Sequence, residues 1–592
     1  MPRHKITLWL PALLLSFHLR ASAVEKLCLL LLLLSSWFVS LTANAQQTGV
    51  ITGRVVTEDG GGLSNISVVA FQVNTGQRNL GGQLSTTTDD DGNFKFTGLS
   101  PRAYLIYAQE AKGYVNQSNS ASERNYYRIG ENAVITMIRG GVITGRVTTA
   151  EGEPMIGAQV SAMMLRDAEG NPVRRPYGGR QRTSDDRGVY RLYGLAPGTY
   201  VVVVRSNLSA MQVSPFDGDT PTFHPSSTRD TAAEVPVTSG GESAGIDIRY
   251  RGERGHVISG AITGGSESSH PYVTLYSVAT GSYVANGYLR PGEATNSYAI
   301  PGVSDGEYEV VAQSGGYNEL EGFVSQPRRV TVKGADVGGI ELKLAPRVSI
   351  TGKIVIESGP NLCDTKRMLS VEEVVVSLRR DDKTAEPKTV YEGYLVDAAP
   401  DDKAEFAIRY IDPGRYFIQP RLPVENWYVK SITAAPIAAG NTRKPPSATD
   451  IARAGFALKA GEKLSGLTVT IAGGAASLSG KVVAAPDGTR LPSRVRVHLA
   501  PVEAASAGDP LRYAEAIARA DGSFALKNIA PGKYWLIARA APNDEPIDRP
   551  PTPIAWDANE RARLRREAEV LKVEVELKPC QRLTDQIVNF AK

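Results

Sequence analysis

The stretch DRGVYRLYGLAPGTY, residues 186–200, decides the fold, and related versions of it occur at residues 90–104 and 521–534. Each version opens with an Asp/Gly turn and continues as a strand in which large apolar residues alternate with others. A second turn then leads to a Tyr. Weaker versions that begin near Tyr298 and Phe406 keep this skeleton. A pattern that recurs about every 100 residues is typical of an array of small domains.

An opening strand with an internal glycine precedes every version. At residues 142–147 it reads VITGRV. The alternation predicts a half-buried strand, and the internal glycine predicts a bulge or a close approach of two backbones. The glycine recurs as Gly53, Gly145, Gly260, Gly352 and Gly480. Together with the strands that follow, this gives roughly seven short strands in about 100 residues, which favours an immunoglobulin-like β-sandwich.

The repeats divide the chain into an N-terminal segment and five units. The predicted boundaries are 1–45 for a signal peptide, 46–140 for unit one, 141–252 for unit two, 253–346 for unit three, 347–475 for unit four and 476–592 for unit five. Short joints rich in Ala, Pro and Gly, such as residues 345–347, predict units that lie end to end in a rod. Charged sequence rich in Ala, Arg and Glu at residues 557–569 predicts a short helix inserted into unit five.

The N-terminal segment has the features of an export signal. Basic residues precede an apolar run over residues 27–38, and Ala43-Asn44-Ala45 is a small-residue cleavage pattern. The run is too short to span a bilayer comfortably, which favours cleavage over the alternative of an uncleaved anchor. The sequence therefore predicts a secreted, periplasmic or cell-surface protein with no membrane span after cleavage.

The charge balance gives no support for nucleic-acid binding. The formal net charge is +4, and residues 1–45 hold four basic residues against one acidic residue, which is +3, so the mature chain is near +1. Only Cys363 and Cys580 remain after cleavage. They lie in different units, and Cys580 comes late in unit five, at the end predicted to lie away from unit four. We therefore expect that they do not form a disulfide.

The sequence resembles a known family in three segments: the opening strand V-x-G-x-V, the segment D-x-x-G-x-F/Y-x-F/L, and the segment G-L-x-P-G-x-Y. They resemble the carboxypeptidase regulatory-like domain, a transthyretin-like sandwich that is also similar to starch-binding-like folds. The resemblance covers nearly all of residues 46–592, although unit three departs from it at Asn296 and Asp305 and unit four at Ala404. It implies an all-β, exported bacterial protein of five tandem immunoglobulin-like/transthyretin-like β-sandwich domains. Such domains typically have accessory rather than catalytic roles.

The sequence shows no catalytic or metal-binding constellation. Two of the six His lie in residues 1–45, and none of the other four begins the His-x-x-Glu pattern of a zinc peptidase. Two Gly-x-Ser-x-Gly strings, at residues 241–245 and 302–306, fall at predicted turns between strands. The acidic run at residues 89–93 lacks the Glu of a calcium loop and is interpreted as a hairpin turn. We expect no enzyme activity, no catalytic residue, no metal and no cofactor.

Two groups of aromatic residues are candidates for a role. One Tyr recurs at an equivalent position in every unit, which predicts a structural tyrosine corner: Tyr104, Tyr200, Tyr308, Tyr416 and Tyr534. Other aromatics lie in loop-like sequence, where binding residues are common: Tyr114, Tyr126, Tyr127, Tyr317, Trp427 and Tyr428. Trp427 and Tyr428 are the leading candidates for a ligand anchor, followed by Tyr114 and Tyr317. Packing of the loops, or of Trp427 into the joint between units four and five, is the alternative.

The sequence thus predicts an exported, non-catalytic binding or scaffold protein of the cell envelope. The resemblance to starch-binding-like folds and the loop aromatics favour carbohydrate binding, with polysaccharide as the ligand. The alternative is a structural or protein-adhesive array that contacts envelope proteins. An accessory subunit of a secreted hydrolase is a more remote alternative. We expect a monomer that binds no nucleic acid.

Overall fold

The structure is a computed structural model, and the described residues run from 49 to 590 with internal gaps. The gaps are residues 74–82, 111–112, 117–125, 169, 171–172, 174–179, 206–217, 267–269, 280, 282, 290–295, 315–321, 358–362, 364–369, 382–395, 436–448, 485–490, 493, 520 and 543–552. The predicted signal peptide lies outside the described residues. Within the described part of the chain, no helix is both long and apolar enough to cross a membrane.

Units one and two each form two facing sheets. In unit one the strand orders are β4-β1-β8-β6 and β3-β2-β5-β7. Its strands are β1 (Gly49–Thr57), β2 (Ser67–Gln72), β3 (Leu84–Thr87), β4 (Asn93–Leu99), β5 (Tyr104–Ala108), β6 (Tyr114–Asn116), β7 (Tyr126–Tyr127) and β8 (Asn132–Arg139). In unit two β9 pairs with β12, β16 and β17, and the other sheet runs β11-β10-β13-β14 with β15 also on β13. Its strands are β9 (Gly141–Thr148), β10 (Gln159–Asp167), β11 (Gln181–Thr183), β12 (Val189–Leu195), β13 (Gly198–Arg205), β14 (Thr222–Phe223), β15 (Val235–Val237), β16 (Glu242–Ser243) and β17 (Ile248–Arg249).

Unit three is the same arrangement with its two sheets joined at both edges. The order β19-β20-β21-β18-β25-β23-β22 closes on itself because β19 also pairs with β22, and β24 pairs with β22 outside this ring. Its strands are β18 (His256–Gly264), β19 (Tyr272–Ser277), β20 (Tyr283–Leu289), β21 (Asn296–Val303), β22 (Gly306–Ser314), β23 (Phe323–Ser325), β24 (Arg328–Val332) and β25 (Val337–Pro346). The closure leaves fewer exposed strand edges than an open sandwich would have.

Units four and five return to two separate sheets. Unit four has the orders β29-β26-β34-β31-β32 and β28-β27-β30-β33, and unit five has β38-β35-β41 and β37-β36-β39-β40. The strands of unit four are β26 (Val348–Glu357), β27 (Val375–Arg380), β28 (Val396–Ala398), β29 (Glu405–Ile411), β30 (Gly414–Arg421), β31 (Trp427–Ala434), β32 (Thr449–Asp450), β33 (Phe456–Leu458) and β34 (Lys463–Gly473). Those of unit five are β35 (Ala476–Val483), β36 (Val495–Pro501), β37 (Ala514–Ile517), β38 (Ser523–Ile529), β39 (Gly532–Ala540), β40 (Glu574–Leu577) and β41 (Arg582–Asn589). These five units confirm the predicted all-β tandem sandwich fold.

The helix predicted in unit five is also confirmed. Helix α1 (Ala558–Leu571) begins after Asp557, whose carboxylate accepts hydrogen bonds from the main-chain N–H groups of Asn559 and Glu560. Such a cap satisfies donors that the first helical turn leaves without partners. The helix ends at Lys572, which has a left-handed φ of 51°.

The opening strand has the same neighbours in every unit. It pairs antiparallel with the strand of the repeated sequence and parallel with the last strand. In units three, four and five the register of the last strand shifts at the internal glycine, as between Leu478 and Gly480 in unit five. A Cβ on Gly480 would lie 1.9 Å from the carbonyl oxygen of Gln586. The predicted bulge and close backbone approach are therefore confirmed.

Candidate functional site: the joints between units

One main-chain hydrogen bond recurs at each of the four joints between units. The N–H of a linker residue donates to a carbonyl in the segment that follows the Tyr-led strand of the preceding unit. The pairs are Gly140 to Gly113 at 2.8 Å, Gly255 to Gly218 at 2.8 Å, Arg347 to Gly322 at 2.7 Å and Gly474 to Asn426 at 2.9 Å. The bond fixes each linker to the unit behind it, so the linkers are part of the folded units rather than free chain.

The following unit places a residue with a left-handed backbone against each linker. These residues are Gly194 and Gly302, each with φ 71°, Tyr410 with φ 62°, and Asn528 with φ 57°. The approach is tight, because a Cβ on Gly255 would lie 2.6 Å from the Cα of Gly302. Glycine adopts this backbone without steric cost, and Asn adopts it more readily than most residues do.

At the joint between units four and five, the left-handed residue also supplies the contact with its side chain. The Nδ2 of Asn528 donates to the carbonyl oxygen of Val424 at 2.8 Å and to that of Trp427 at 2.7 Å. Lys527 beside it lies 2.6 Å from a carboxylate oxygen of Glu425. Two directed amide bonds fix an orientation between the units more closely than apolar contact alone would.

A disulfide between Cys363 and Cys580 spans the same joint, so the prediction that these residues are not bonded to each other is wrong. The reason lies in the direction of the last strand. Because β41 runs parallel to β35, the turn that precedes it returns to the end of unit five that faces unit four. The N–H of Cys580 accordingly donates to the carbonyl of Gly474 in the linker, at 3.1 Å.

Unit one contacts unit four, which an end-to-end rod does not allow, so the predicted rod is wrong as well. Arg102 lies 3.5 Å from Glu372 and donates to the carbonyl of Pro400 at 3.3 Å. The hydroxyl of Tyr126 donates to Asp397, whose other oxygen accepts from Ser377 at 2.6 Å. Apolar residues of both units pack together at this contact: Val73, Ala103, Val375 and Ala399. Short linkers keep neighbouring units close together, but they do not force the five units into a straight line.

The recurrent tyrosines make one hydrogen bond of the same kind in every unit. Each hydroxyl donates to the carbonyl four residues earlier, at 3.2 Å for Tyr104, 2.7 Å for Tyr200, 2.9 Å for Tyr308, 2.6 Å for Tyr416 and 2.6 Å for Tyr534. Burial raises the pKa of Tyr308 to about 12. The hydroxyl therefore stays protonated and remains a donor at physiological pH.

Replacing Tyr200 with Phe is expected to destabilise unit two by about 1–3 kcal/mol, because the half-buried carbonyl of Ala196 would lose its donor. Chemical denaturation of the full chain, followed by hydrogen exchange in unit two, measures this loss. Tyr193→Phe in the same unit is the control, since the side chain of Tyr193 is 50% exposed. Equal stability of the two variants would contradict the expectation.

The predicted anchor residues do not form one surface. Trp427 is only 6% exposed and belongs to the core of unit four, so its ring is not available for stacking on a ligand. Tyr428 is half-buried on the same strand, β31. Tyr114 is half-buried against the core of unit one with the Arg139 guanidinium 5.6 Å from its ring, and Tyr317 lies outside the described residues. Trp427 is buried because β31 adds to the sheet of β34 instead of forming a loop.

Four exposed tyrosines of the described residues were not among the predicted anchors, because they lie on strands: Tyr107, Tyr193, Tyr272 and Tyr283. Tyr193 in β12 has the Arg182 guanidinium 4.4 Å from its ring centre. Tyr107 in β5 is 38% exposed and stacks on Phe71 of the neighbouring strand, with 5.6 Å between ring centres. The alternation of β12, in which Tyr190 and Leu192 point inward, was the available signal that Tyr193 points outward.

The motifs that could carry chemistry lie in turns or in a short strand. Asp89 accepts hydrogen bonds from the N–H groups of Asp91 and Asn93, and the Asn93 N–H lowers the pKa of the Asp89 carboxyl. Ser243 lies at the end of β16 and donates to the carbonyl of Pro236, and Ser304 lies between two strands. Among the described residues, no group of three or more His, Cys, Asp or Glu is placed to hold a metal ion.

Comparison with known protein families finds a match in the first two units. The carboxypeptidase regulatory-like domain matches residues 50–125 and 142–243. No curated protein matches the chain.

Several solved structures match parts of the chain at low identity. The Bacillus anthracis TIE protein is 14% identical over 50% of this chain and 51% of its own, with a TM-score of 0.14, so the match spans about half of that protein. GBS52, the minor pilin of Streptococcus agalactiae, is 12% identical over 34% of this chain and 95% of its own, with a TM-score of 0.20. BcpA, the major pilin subunit of Bacillus cereus, is 10% identical over 50% of this chain and 99% of its own, with a TM-score of 0.14.

The family match agrees with the geometry of the described units. It covers the opening glycine strand, the Asp/Gly turn and the tyrosine corner in both units one and two. Units one and two are therefore similar to the carboxypeptidase regulatory-like domain, in agreement with the resemblance of their sequences.

Proposed function

We propose that this protein is an exported, non-catalytic scaffold that holds its sandwich units in a fixed arrangement at the cell envelope. The observation that carries the proposal is the joint, in which each linker is hydrogen-bonded to the unit behind it and packed by a left-handed residue of the unit ahead. Flexible tethering of independent binding modules would need none of these contacts.

The disulfide supports the exported location. Disulfides form and persist in oxidising compartments and are rare in the cytosol, where thiols are kept reduced. Cys363 and Cys580 are the only cysteines beyond residue 45, and they are bonded to each other. Together with the signal-like N-terminal sequence, this favours an extracytoplasmic site of action.

The fixed arrangement is tested by measuring the distance between spin labels on units four and five of the full chain. Asn528→Gly keeps the left-handed backbone accessible and removes both amide bonds to unit four. We expect a broader distance distribution for this variant, under conditions that reduce the disulfide, than for the unsubstituted protein under the same conditions. Asn65→Gly is the matched control, because Asn65 is also left-handed, with φ 55°, and is exposed in unit one. A broad distribution in the unsubstituted, oxidised protein would overturn the proposal of a fixed scaffold.

Carbohydrate binding is a second candidate function, favoured by the exposed rings of Tyr107 and Tyr193. An aromatic face exposed on a rigid strand is suited to stacking on a sugar ring, and the Arg182 guanidinium holds Tyr193 in place. Retention of the full chain on insoluble polysaccharide, compared with a Tyr107→Ala, Tyr193→Ala variant, tests this. If both proteins are retained equally, or if neither is retained, these two rings are excluded as the sugar site. Either outcome leaves the scaffold role unaffected.

A further inference from the structure

The outer face of one sheet in unit five buries charged and titratable residues beneath a covering segment. This cover segment, residues 554–571, consists of the short turn Ile554–Trp556 and helix α1. On the sheet below it, His498 is 1% exposed and Arg496 is 2% exposed, both on β36. Polar residues at such positions are normally exposed, so their burial depends on the cover segment remaining in place.

The carboxylate of Glu515 contacts three groups under the cover segment. An oxygen of Glu515 on β37 lies 3.5 Å from Nδ1 of His498, and its other oxygen lies 3.5 Å from the Arg496 guanidinium. The main-chain N–H of Ile554 donates to the same carboxylate at 3.3 Å. Burial opposes ionisation of Glu515, but His498 and Arg496 together hold its pKa below the usual range. The carboxylate therefore stays charged and links the sheet to the first residue of the cover segment.

The positive charges near His498 already have their counter-ions. From β36 and β39, His498 faces Arg496 and Arg539, and from β37 it faces Glu515. Glu567 of α1 lies 2.9 Å from Arg539 and 2.8 Å from Arg563. Protonation of His498 would leave Glu515 as the one anion shared by two buried cations, Arg496 and His498, which is costly in a low-dielectric environment.

Among the described residues, the remaining ring nitrogen of His498 has no partner that could stabilise a second proton. Nε2 makes no hydrogen bond within the described part of the chain. Burial is the main reason that the pKa of His498 is lowered, and the charges of Arg539 and Arg496 lower this pKa further. Glu515 acts in the opposite direction, but it does not reverse the shift. The imidazole is therefore held neutral in the closed state, in which the cover segment lies on the sheet of unit five.

The cover segment also reaches unit four. Trp556 stacks on Phe417 of that unit with 4.6 Å between ring centres. The guanidinium of Arg379, also in unit four, lies 5.6 Å from the centre of the Trp556 ring. On the side of unit five, Leu564 and Ala568 pack against Trp535 and Ile537. A change that lifts the cover segment from unit five would therefore also break a contact between units four and five.

We infer that His498 is a pH sensor, and that acidification releases the cover segment from unit five and from unit four. The direction follows from linkage. A histidine whose pKa is lower in the closed state than its usual value of about 6.5 binds protons more readily when the segment is open. The closed state is thus fully stable above about pH 6.5 and loses stability as the pH falls below that value, until the lowered pKa of the closed state is reached.

Hydrogen exchange of the full chain between pH 7.5 and 5.5 tests this inference, after correction for the intrinsic pH dependence of exchange. Opening of residues 554–571 is expected to rise up to about tenfold for each pH unit below about 6.5. His498→Gln is expected to abolish this rise. His256→Gln is the matched control and should keep it, since His256 lies in unit three beside Asp305 and Asp336.

Two results of the exchange experiment would overturn the inference. Constant protection of the cover segment in the unsubstituted protein would refute it, as would an equal rise in the His498→Gln variant. If that variant does not fold, the imidazole nitrogen shifts of the unsubstituted protein decide the question by NMR. A neutral His498 at pH 6 while the segment is closed supports the inference, and a protonated His498 in the closed state overturns it.

Discussion

Replacing Cys363 with Ser is expected to destabilise the pair formed by units four and five by up to about 5 kcal/mol. The disulfide closes a loop with a sequence separation of 217 residues. In the chain-entropy account, cross-linking a loop of this length removes about 5 kcal/mol of conformational freedom from the unfolded chain. Thermal unfolding of the full chain with and without reductant measures the effect.

Three comparisons make the disulfide result specific. Cys580→Ser should match Cys363→Ser, the double variant should lose no more than either, and reductant should lower the stability of the unsubstituted protein only. If reductant leaves the transition of the unsubstituted protein unchanged, the bond does not support the joint. A loss confined to units one to three would contradict the assignment of the bond to the joint between units four and five.

The pairing of these cysteines shows where sequence reasoning reaches its limit. Period-2 alternation marks the strand before Cys580, but it did not reveal that a further strand, β41, follows Cys580, or in which direction that strand runs. Because β41 is parallel to β35, the preceding turn with Cys580 faces unit four. The contact between units one and four was unpredictable for a related reason. It depends on residues such as Tyr126 and Asp397, which are far apart in sequence and belong to no repeated motif.

The features that could be predicted are those that five copies repeat. The opening glycine and the tyrosine each meet one local requirement that is the same in every unit, and the Asp/Gly turn recurs in units one, two and five. Helix α1 was predictable because its composition and its Asp557 cap are local signals. Trp427 was misassigned because a single Trp in a segment without a repeat gives no sign of whether it faces a core or a ligand.

Gly260→Ala is expected to destabilise unit three by about 4 kcal/mol or more, which is among the largest effects of a single substitution. A Cβ at this position would lie 1.8 Å from the carbonyl oxygen of Ile340 and 2.6 Å from its carbonyl carbon. These are backbone atoms in the last strand, β25, and they cannot turn aside as a flexible side chain would. The strand pairing between β18 and β25 must therefore shift, and the core residues that the two strands contribute must shift with it.

The same unit offers a matched control. Gly338 also lies on β25, and a Cβ there would meet only the Ser259 hydroxyl oxygen, at an ordinary contact distance of 3.6 Å. Gly338→Ala should therefore leave unit three as stable as the unsubstituted protein, or slightly more stable, since alanine restricts the unfolded chain more than glycine does. Denaturant titration of the full-length variants, with hydrogen exchange to assign the transition to unit three, separates the two results. Similar stability of Gly260→Ala and Gly338→Ala would show that the close approach at Gly260 is not what fixes the register of the last strand. The requirement for glycine in the opening strand would then need another physical origin in all five units.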